Sequence, residues 1–399
     1  MARKRTFSHF FFEKKCVFVP KSFIWLPREG CDVFICIDFL CFDQTFGESG
    51  IFWVKTFGES GTFWVKTFGE SGTFWAKTFG ESGIFCIFAL KIKMLWQILC
   101  LKMYPMDFEE FCWALGDKVT MPLLKQFFDS RIPLEAAHRE TMRRLRLYML
   151  VGGMPQAVKE YLETNNLSKT DAVKREILEL YLDDFRKIDN SGRAAKLFAN
   201  IPAQLNNNAS RYQVASVLDD SERKNIMGIL EEMKDSMVVN FAYHANDPNV
   251  GLALHSDGNF YKMFTADTGL FVTLAFWGKD HTENIIYEKL LSDKLSSDMG
   301  YVYENLVAQM LVASGNKLYY YTFPHATSHK SYEVDFLLSR GKKIYPIEVK
   351  SSGYNTHKSL DEFCAKYSDR IDKRYLLYTK DLKKDGQTLL LPIYMTPLL

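Results

Sequence analysis

Between Gly300 and Thr379 the chain reads in one order: helix (Gly300 to Ser314), strand (Leu318 to Phe323), strand (Tyr332 to Ser339), strand (Ile344 to Ser351), helix (His357 to Lys366) and strand (Arg374 to Thr379). An αβββαβ order admits few folds. Within it, EVDFLL places Asp335 in one strand, RGKK makes a turn, and IEVK places Glu348 and Lys350 two residues apart in the next. Alternation in a strand points Glu348 and Lys350 to one face and Ile347 and Val349 to the other. A carboxylate and an ammonium on an otherwise apolar strand are costly unless partnered.

A second carboxylate across the hairpin completes the set with a divalent cation. In this reading Asp335 and Glu348 are the metal ligands and bind Mg²⁺ through oxygen. Lys350 orients the attacking water or stabilises charge developing on a phosphate, and Glu304, on the preceding helix, is the outer acid. The plainer alternative is a hairpin with a Glu348–Lys350 salt bridge. For an isolated match that alternative would win, but the αβββαβ order favours a restriction-endonuclease-like domain, with cleavage and a vestigial site both left open.

The 399 residues suffice for two or three domains, and 50 Lys and Arg against 48 Asp and Glu leave a net charge of +2. No global electrostatic argument for nucleic acid or a membrane surface follows, so any such partner has to be argued locally. With 25 % charged and 47 % hydrophobic residues the composition is that of an ordinary globular protein. It is uneven, however: 18 of the 32 Phe and six of the eight Cys fall in the first hundred residues.

There an 11-residue unit recurs four times from Thr45 to Phe88 as TFGESGIFWVK, TFGESGTFWVK, TFGESGTFWAK and TFGESGIFCIF. Packed repeats usually diverge outside their core positions, so near-identity points to a recently expanded tandem repeat. A folded alternative is a meander of short strands turning at GESG. Cys31, Cys36 and Cys41 lack the paired short gaps of a metal knuckle, and scattered thiols suit a reducing cytoplasm. The start, MARKRTFSHFFFEKK, has no apolar run of signal-peptide length. Ile84 to Met103 is apolar, but Lys91 and Lys93 sit mid-window, so a buried strand or helix is expected and no membrane span.

From Asp107 the patterning is helical. DFEEFCWAL places Phe108, Phe111, Cys112 and Leu115 on one face, ended by Gly116; longer helices are expected from about Leu134 to Leu150, carrying Arg139, Arg143, Arg144 and Arg146, and from about Ala172 to Ile188. Those arginines read as a solvated face rather than a phosphate site. Gln213 to Leu218, a turn at Asp219-Asp220-Ser221 and a helix Glu222 to Asp235, followed by VVNFAY and NFYKMFTA, have winged-helix proportions. The second helix offers Arg223, Lys224 and Asn225, so DNA contact and plain packing are both open.

From about residue 99 onward the motifs MYPMDFEEFCWAL, YMLVGGMPQAV, REILELYLDDFRK, FTADTGLF, YENLVAQML, EVDFLL and IEVKSS occur in that order. In this the chain resembles a large prokaryotic family of AAA-type ATPases that carry a carboxyl-terminal domain of unknown function with a nuclease-like, PD-(D/E)XK fold. The resemblance implies an α/β chain in four parts: an atypical Phe- and Cys-rich segment (1–98), a helical remnant of an ATPase lid (99–190), a winged-helix module (191–285) and a nuclease-like domain (286–399). The family's glycine-rich loop ending in GK[ST] is absent; in Gly58 to Thr67, Val65 precedes Lys66 and bulky aromatics fill the loop. ATP is therefore not an expected cofactor. The expectation is a truncated relative of an ATP-binding protein whose last domain binds or cuts nucleic acid with Mg²⁺ at Glu304, Asp335, Glu348 and Lys350, with DNA or another protein as partner. Lys330, Lys342, Lys343, His357 and Lys358 would meet phosphates, and the alternative is a non-catalytic binding module.

Overall fold

A computed structural model describes residues 103–399 except position 208 and the stretches 278–290, 292–299, 326–330 and 352–355, together with the backbones of six strands between residues 22 and 78. The chain divides into two units, Met1–Met103 and Tyr104–Leu399. Most of the window Ile84–Met103 lies outside the described residues, as does Lys330.

In the first unit β1 (Ser22–Arg28) pairs with β2 (Cys31–Ile37), while β3 (Leu40–Phe42), β4 (Phe52–Gly58), β5 (Gly61–Phe68) and β6 (Thr73–Thr78) form an antiparallel meander. Val54 pairs with Val65, and Val65 with Ala76, so neighbouring strands are offset by the sequence period and each hairpin repeats the last. The repeat thus takes the meander arrangement, with β4 and β5 paired through to Gly58↔Gly61.

The second unit is mixed α/β, with helices in the middle and strands toward the carboxyl terminus. Helix α1 (Phe108–Ala114) opens with a capping box: the Asp107 carboxylate accepts from the Glu110 N–H, and Glu110 returns the bond to the Asp107 N–H. Then follow α2 (Thr120–Ser130), α3 (Ala136–Val151), α4 (Pro155–Thr164) and α5 (Leu167–Ile188). Helix α5 starts five residues before the expected point because the Asn166 side chain caps the Ser168 and Lys169 N–H groups. The arginines of α3 do not form one solvated face: Arg146 is buried, and Arg144 pairs with Asp117 and, at 3.6 Å, with Glu140.

Two sequence-distant motifs meet at the end of α3. The buried Asp267 caps α9 (Thr268–Ala275) through the Leu270 N–H at 2.8 Å, and its other oxygen accepts from the Gly153 N–H. Gly152, at φ +85°, and Gly269 come so close there that neither has space for a side chain. Lys174 of α5 lies buried beneath, donating to the Leu150 carbonyl at 2.6 Å. Burial pulls the Lys174 ammonium down to about 8, against the pull of Asp171 and Asp267.

Since the unfolded chain keeps that proton to about pH 10.5, the folded protein sheds it first, and stability rises with pH across this window. The Lys174→Met variant lacks the titration. Urea unfolding at pH 7.5 and pH 10 is expected to show the wild type gaining on the order of 2–3 kcal/mol relative to the variant.

Next come α6 (Arg193–Ala199), α7 (Ile201–Asn206), a 3₁₀ turn (Val214–Ser216), α8 (Ile226–Asp235), β7 (Val239–Ala245) and β8 (Ser256–Thr265). Helix α8 begins at Ile226 rather than Glu222. Arg193 donates to the carbonyls of Glu222 and Lys224 at 3.0 and 2.9 Å and holds them in a turn, and Asn225 sits at φ +56°. Arg223, Lys224 and Asn225 thus precede the helix instead of lining it.

After α10 (Gly300–Ala313) come β9 (Leu318–Pro324), β10 (Ser331–Val334), β11 (Phe336–Arg340), β12 (Lys343–Val349), α11 (Lys358–Lys366), β13 (Arg374–Tyr378), β14 (Lys383–Asp385) and β15 (Thr388–Pro392). One sheet runs β10-β9-β7-β8, and a second β11-β12-β13-β15-β14. The segment expected as a single strand, Tyr332 to Ser339, breaks at Asp335: its first half pairs with β9, and its second half with β12. β7 runs parallel to β9, so β7 and β8 share one sheet with the strands that follow α10.

Candidate active site

The break at Asp335 builds the site. Pairing of β11 with β12 stops at Phe336↔Ile347, and beyond it the Asp335 Oδ2 accepts the Val349 N–H at 2.7 Å. That carboxylate replaces the lost ladder partner. β12 meanwhile continues parallel to β13 through Glu348↔Leu376 and Val349↔Leu377. Glu348 and Lys350 therefore stand at the carboxyl end of a parallel pair, beyond the point where pairing with β11 ends.

Ile347 and Val349 enter the larger apolar core. Glu348, on the other face, is 4 % exposed; its Oε1 is 2.7 Å from the Lys350 Nζ, and its Oε2 is buried with no hydrogen-bond partner among the described residues. Burial lifts the Glu348 carboxyl above the usual range, against the attraction of Lys350. For Lys350 burial acts downward, but the Glu348 and Asp335 carboxylates together outweigh it and the ammonium is held above ordinary lysine.

Glu304, on α10, faces the same cluster. Burial pushes it up to about 7, against Lys262 and reinforced by Asp335 and Glu333. Asp335 and Lys350 thus act on both Glu304 and Glu348, and two residues that the sequence reading leaves out join them. Glu333 of β10 ion-pairs with the 7 % exposed Lys262 of β8. Burial lifts Glu333, while for Lys262 the carboxylates of Glu333, Glu304 and Asp335 outweigh burial and keep it charged. The signals were present: Glu333 is two residues before Asp335 in EVDF, and Lys262 interrupts the apolar NFYKMFTA.

Four carboxylates against two ammoniums leave a formal charge of −2 when all are ionised, which matches a divalent cation. Among the described residues no three His, Cys, Asp or Glu side chains converge as a metal cage. Mg²⁺ does not require one, since it is commonly held by one or two carboxylates and otherwise by water and phosphate oxygens. Asp335 and the unpartnered oxygen of Glu348 fit that mode.

The expected basic surround differs. Lys343 begins β12, about 17 Å along the strand from Glu348, and donates to the Asp369 carbonyl at 2.6 Å. His357 is 2.8 Å from Asp361. Lys342 and Lys343 stand at the far end of the strand and do not flank the carboxylates, whereas His357 acts on Glu348.

Residues 299–395 match a family described as Domain of unknown function (DUF4143). Residues 142–281 match another, Domain of unknown function (DUF8612). Among curated proteins and solved structures, none matches the chain. The first match spans Glu304, Glu333, Asp335, Glu348 and Lys350; the second spans Lys262 and both halves of the Gly153–Asp267 junction. Among the described residues no helix is long and apolar enough to cross a membrane.

Proposed function

We propose that the carboxyl-terminal region binds nucleic acid and hydrolyses its phosphodiester backbone with a divalent cation, in a chain related to AAA-type ATP-binding proteins but lacking their phosphate loop. One observation carries this reading. Glu348 is buried with one oxygen on Lys350 and the other without a donor among the described residues, an arrangement that costs energy unless a cation completes it. Bound between Asp335 and Glu348, the cation would supply a polarised phosphoryl oxygen and a more acidic water.

The chain's own groups do the rest. Lys350, held at Glu348, places a positive charge beside the reacting phosphate. Glu304, poised near neutrality, takes or returns a proton. Lys262 tethers Glu333 and keeps like-charged Asp335 and Glu304 in one small volume.

The test is incubation of the full chain with plasmid DNA and with RNA, in Mg²⁺, Mn²⁺ or EDTA, beside an Asp335→Ala, Glu348→Ala double variant. The expected result is metal-dependent cleavage that falls to the EDTA background in the variant. A second reading, a binding module with a vestigial site, is favoured by the buried Lys262 ammonium, which neutralises part of the cluster without any metal. A folded protein that cleaves nothing under these conditions would establish that reading instead.

A further inference from the structure

The sheet that carries Glu333 presents a second feature on the same face. β7 and β8 pair regularly to Tyr243↔Tyr261, then the register jumps to His244↔Asp257, so Gly258, Asn259 and Phe260 have no partner on β7. Such a bulge re-aims side chains and commonly lies beside functional sites. Here it presents Phe260, 40 % exposed, with the Arg211 guanidinium over its ring at 4.2 Å.

Arg211 is partly exposed and makes no hydrogen bond or ion pair with a described residue, so its five N–H donors are uncommitted. It is nevertheless fixed: the next residue, Tyr212, donates its N–H to the Tyr261 carbonyl at 2.7 Å and its hydroxyl to the Leu197 carbonyl at 2.7 Å.

From Phe260 a row of contacts crosses the sheet toward the carboxylates. The His244 ring lies 6.3 Å from Phe260 and 5.3 Å from Tyr320, and Tyr320 lies under the Lys262 ammonium, which holds Glu333. The Thr322 N–H donates to His244 Nε2 at 3.2 Å, which leaves the ring proton on Nδ1, toward Asn246. β8 to β10 is three strand spacings, about 14 Å, the reach of a few nucleotides.

We infer that Arg211 and Phe260 form a stacking and phosphate-holding platform for single-stranded nucleic acid at the β8 edge of the sheet whose other edge, β10, carries Glu333. This rests on the proposed reading of that cluster and names its substrate class. An exposed ring stacks any base, and an uncommitted guanidinium takes a phosphate in bidentate fashion. A duplex, its bases already stacked on one another, offers Phe260 no free base face.

The experiment is fluorescence anisotropy of the full chain with labelled single-stranded DNA, single-stranded RNA and duplex DNA, in EDTA so that cleavage plays no part. Phe260→Ala is expected to weaken single-strand binding about 5- to 100-fold, with Phe260→Trp retaining it. Arg211→Ala should weaken binding and lower the slope of log K against log salt by about one. Far-UV circular dichroism and thermal unfolding confirm folding, which an exposed position allows.

Single-strand binding that is unchanged in Phe260→Ala and Arg211→Ala, or duplex binding with the same dependence on Phe260, overturns the platform even if Mg²⁺-dependent cleavage is seen. Binding that depends on both residues supports it even if no cleavage occurs. The two readings therefore fail separately.

Discussion

Gly269→Ala is expected to destabilise the second unit by about 3 kcal/mol or more, lowering the melting temperature by roughly 5–10 °C. A methyl on Gly269 would lie 2.5 Å from the Gly152 nitrogen and 2.8 Å from the Val151 carbonyl carbon. These are backbone atoms at the end of α3, and no rotamer change relieves them. Separating the segments would also pull Asp267 from the Gly153 N–H and Lys174 from the Leu150 carbonyl, leaving buried polar groups unpaired. Gly228→Ala is the control. Gly228 lies within α8 with nothing within 4 Å of an added methyl, so the same change there should stabilise by about 0.5–1 kcal/mol. Thermal unfolding of the two variants side by side separates steric conflict from helix propensity; equal melting temperatures would refute the close approach.

Lys262→Met should be comparably severe, at about 3–5 kcal/mol, because it removes one partner of a buried pair and leaves Glu333, Glu304 and Asp335 repelling one another. Adding Glu333→Gln should recover a good part of the loss, since the remaining group no longer carries an unpaired charge. A double-mutant cycle by chemical denaturation gives the coupling directly. Additive losses would mean that the ion pair is not what holds β8 to β10.

The order of elements in the last hundred residues was legible because period-two alternation and turn residues are local signals. Asp335, Glu348 and Lys350 could be named for the same reason: a charge on an apolar strand needs an explanation wherever the strand lies. The break at Asp335 was not legible, because EVDFLL is a continuous strand pattern and only the competing partners β9 and β12 divide it. Lys262 lies 71 residues from Glu333, and a lone lysine in an apolar segment carries no mark of the acid it will meet. The platform was hidden more deeply, since the bulge that presents Phe260 depends on β7 and Arg211 reaches it from a loop outside the sheet. The first four positions expected in the helix Glu222 to Asp235 lie outside it, because propensity favours helix there, whereas Arg193, 29 residues upstream of Glu222, holds the carbonyls in a turn.

The parallel register Tyr243↔Tyr319 ties β7 and β8 to the sheet that carries Glu333 by backbone hydrogen bonds rather than by a linker. A sheet shared in this way has no hinge, so β7 and the bulge on β8 cannot swing toward or away from Glu333 without breaking the ladder. The molecule is in that sense a ruler. A strand gripped at the proposed platform is held at a fixed distance from Glu333, so where a phosphodiester is presented is measured from the grip instead of being read from the bases.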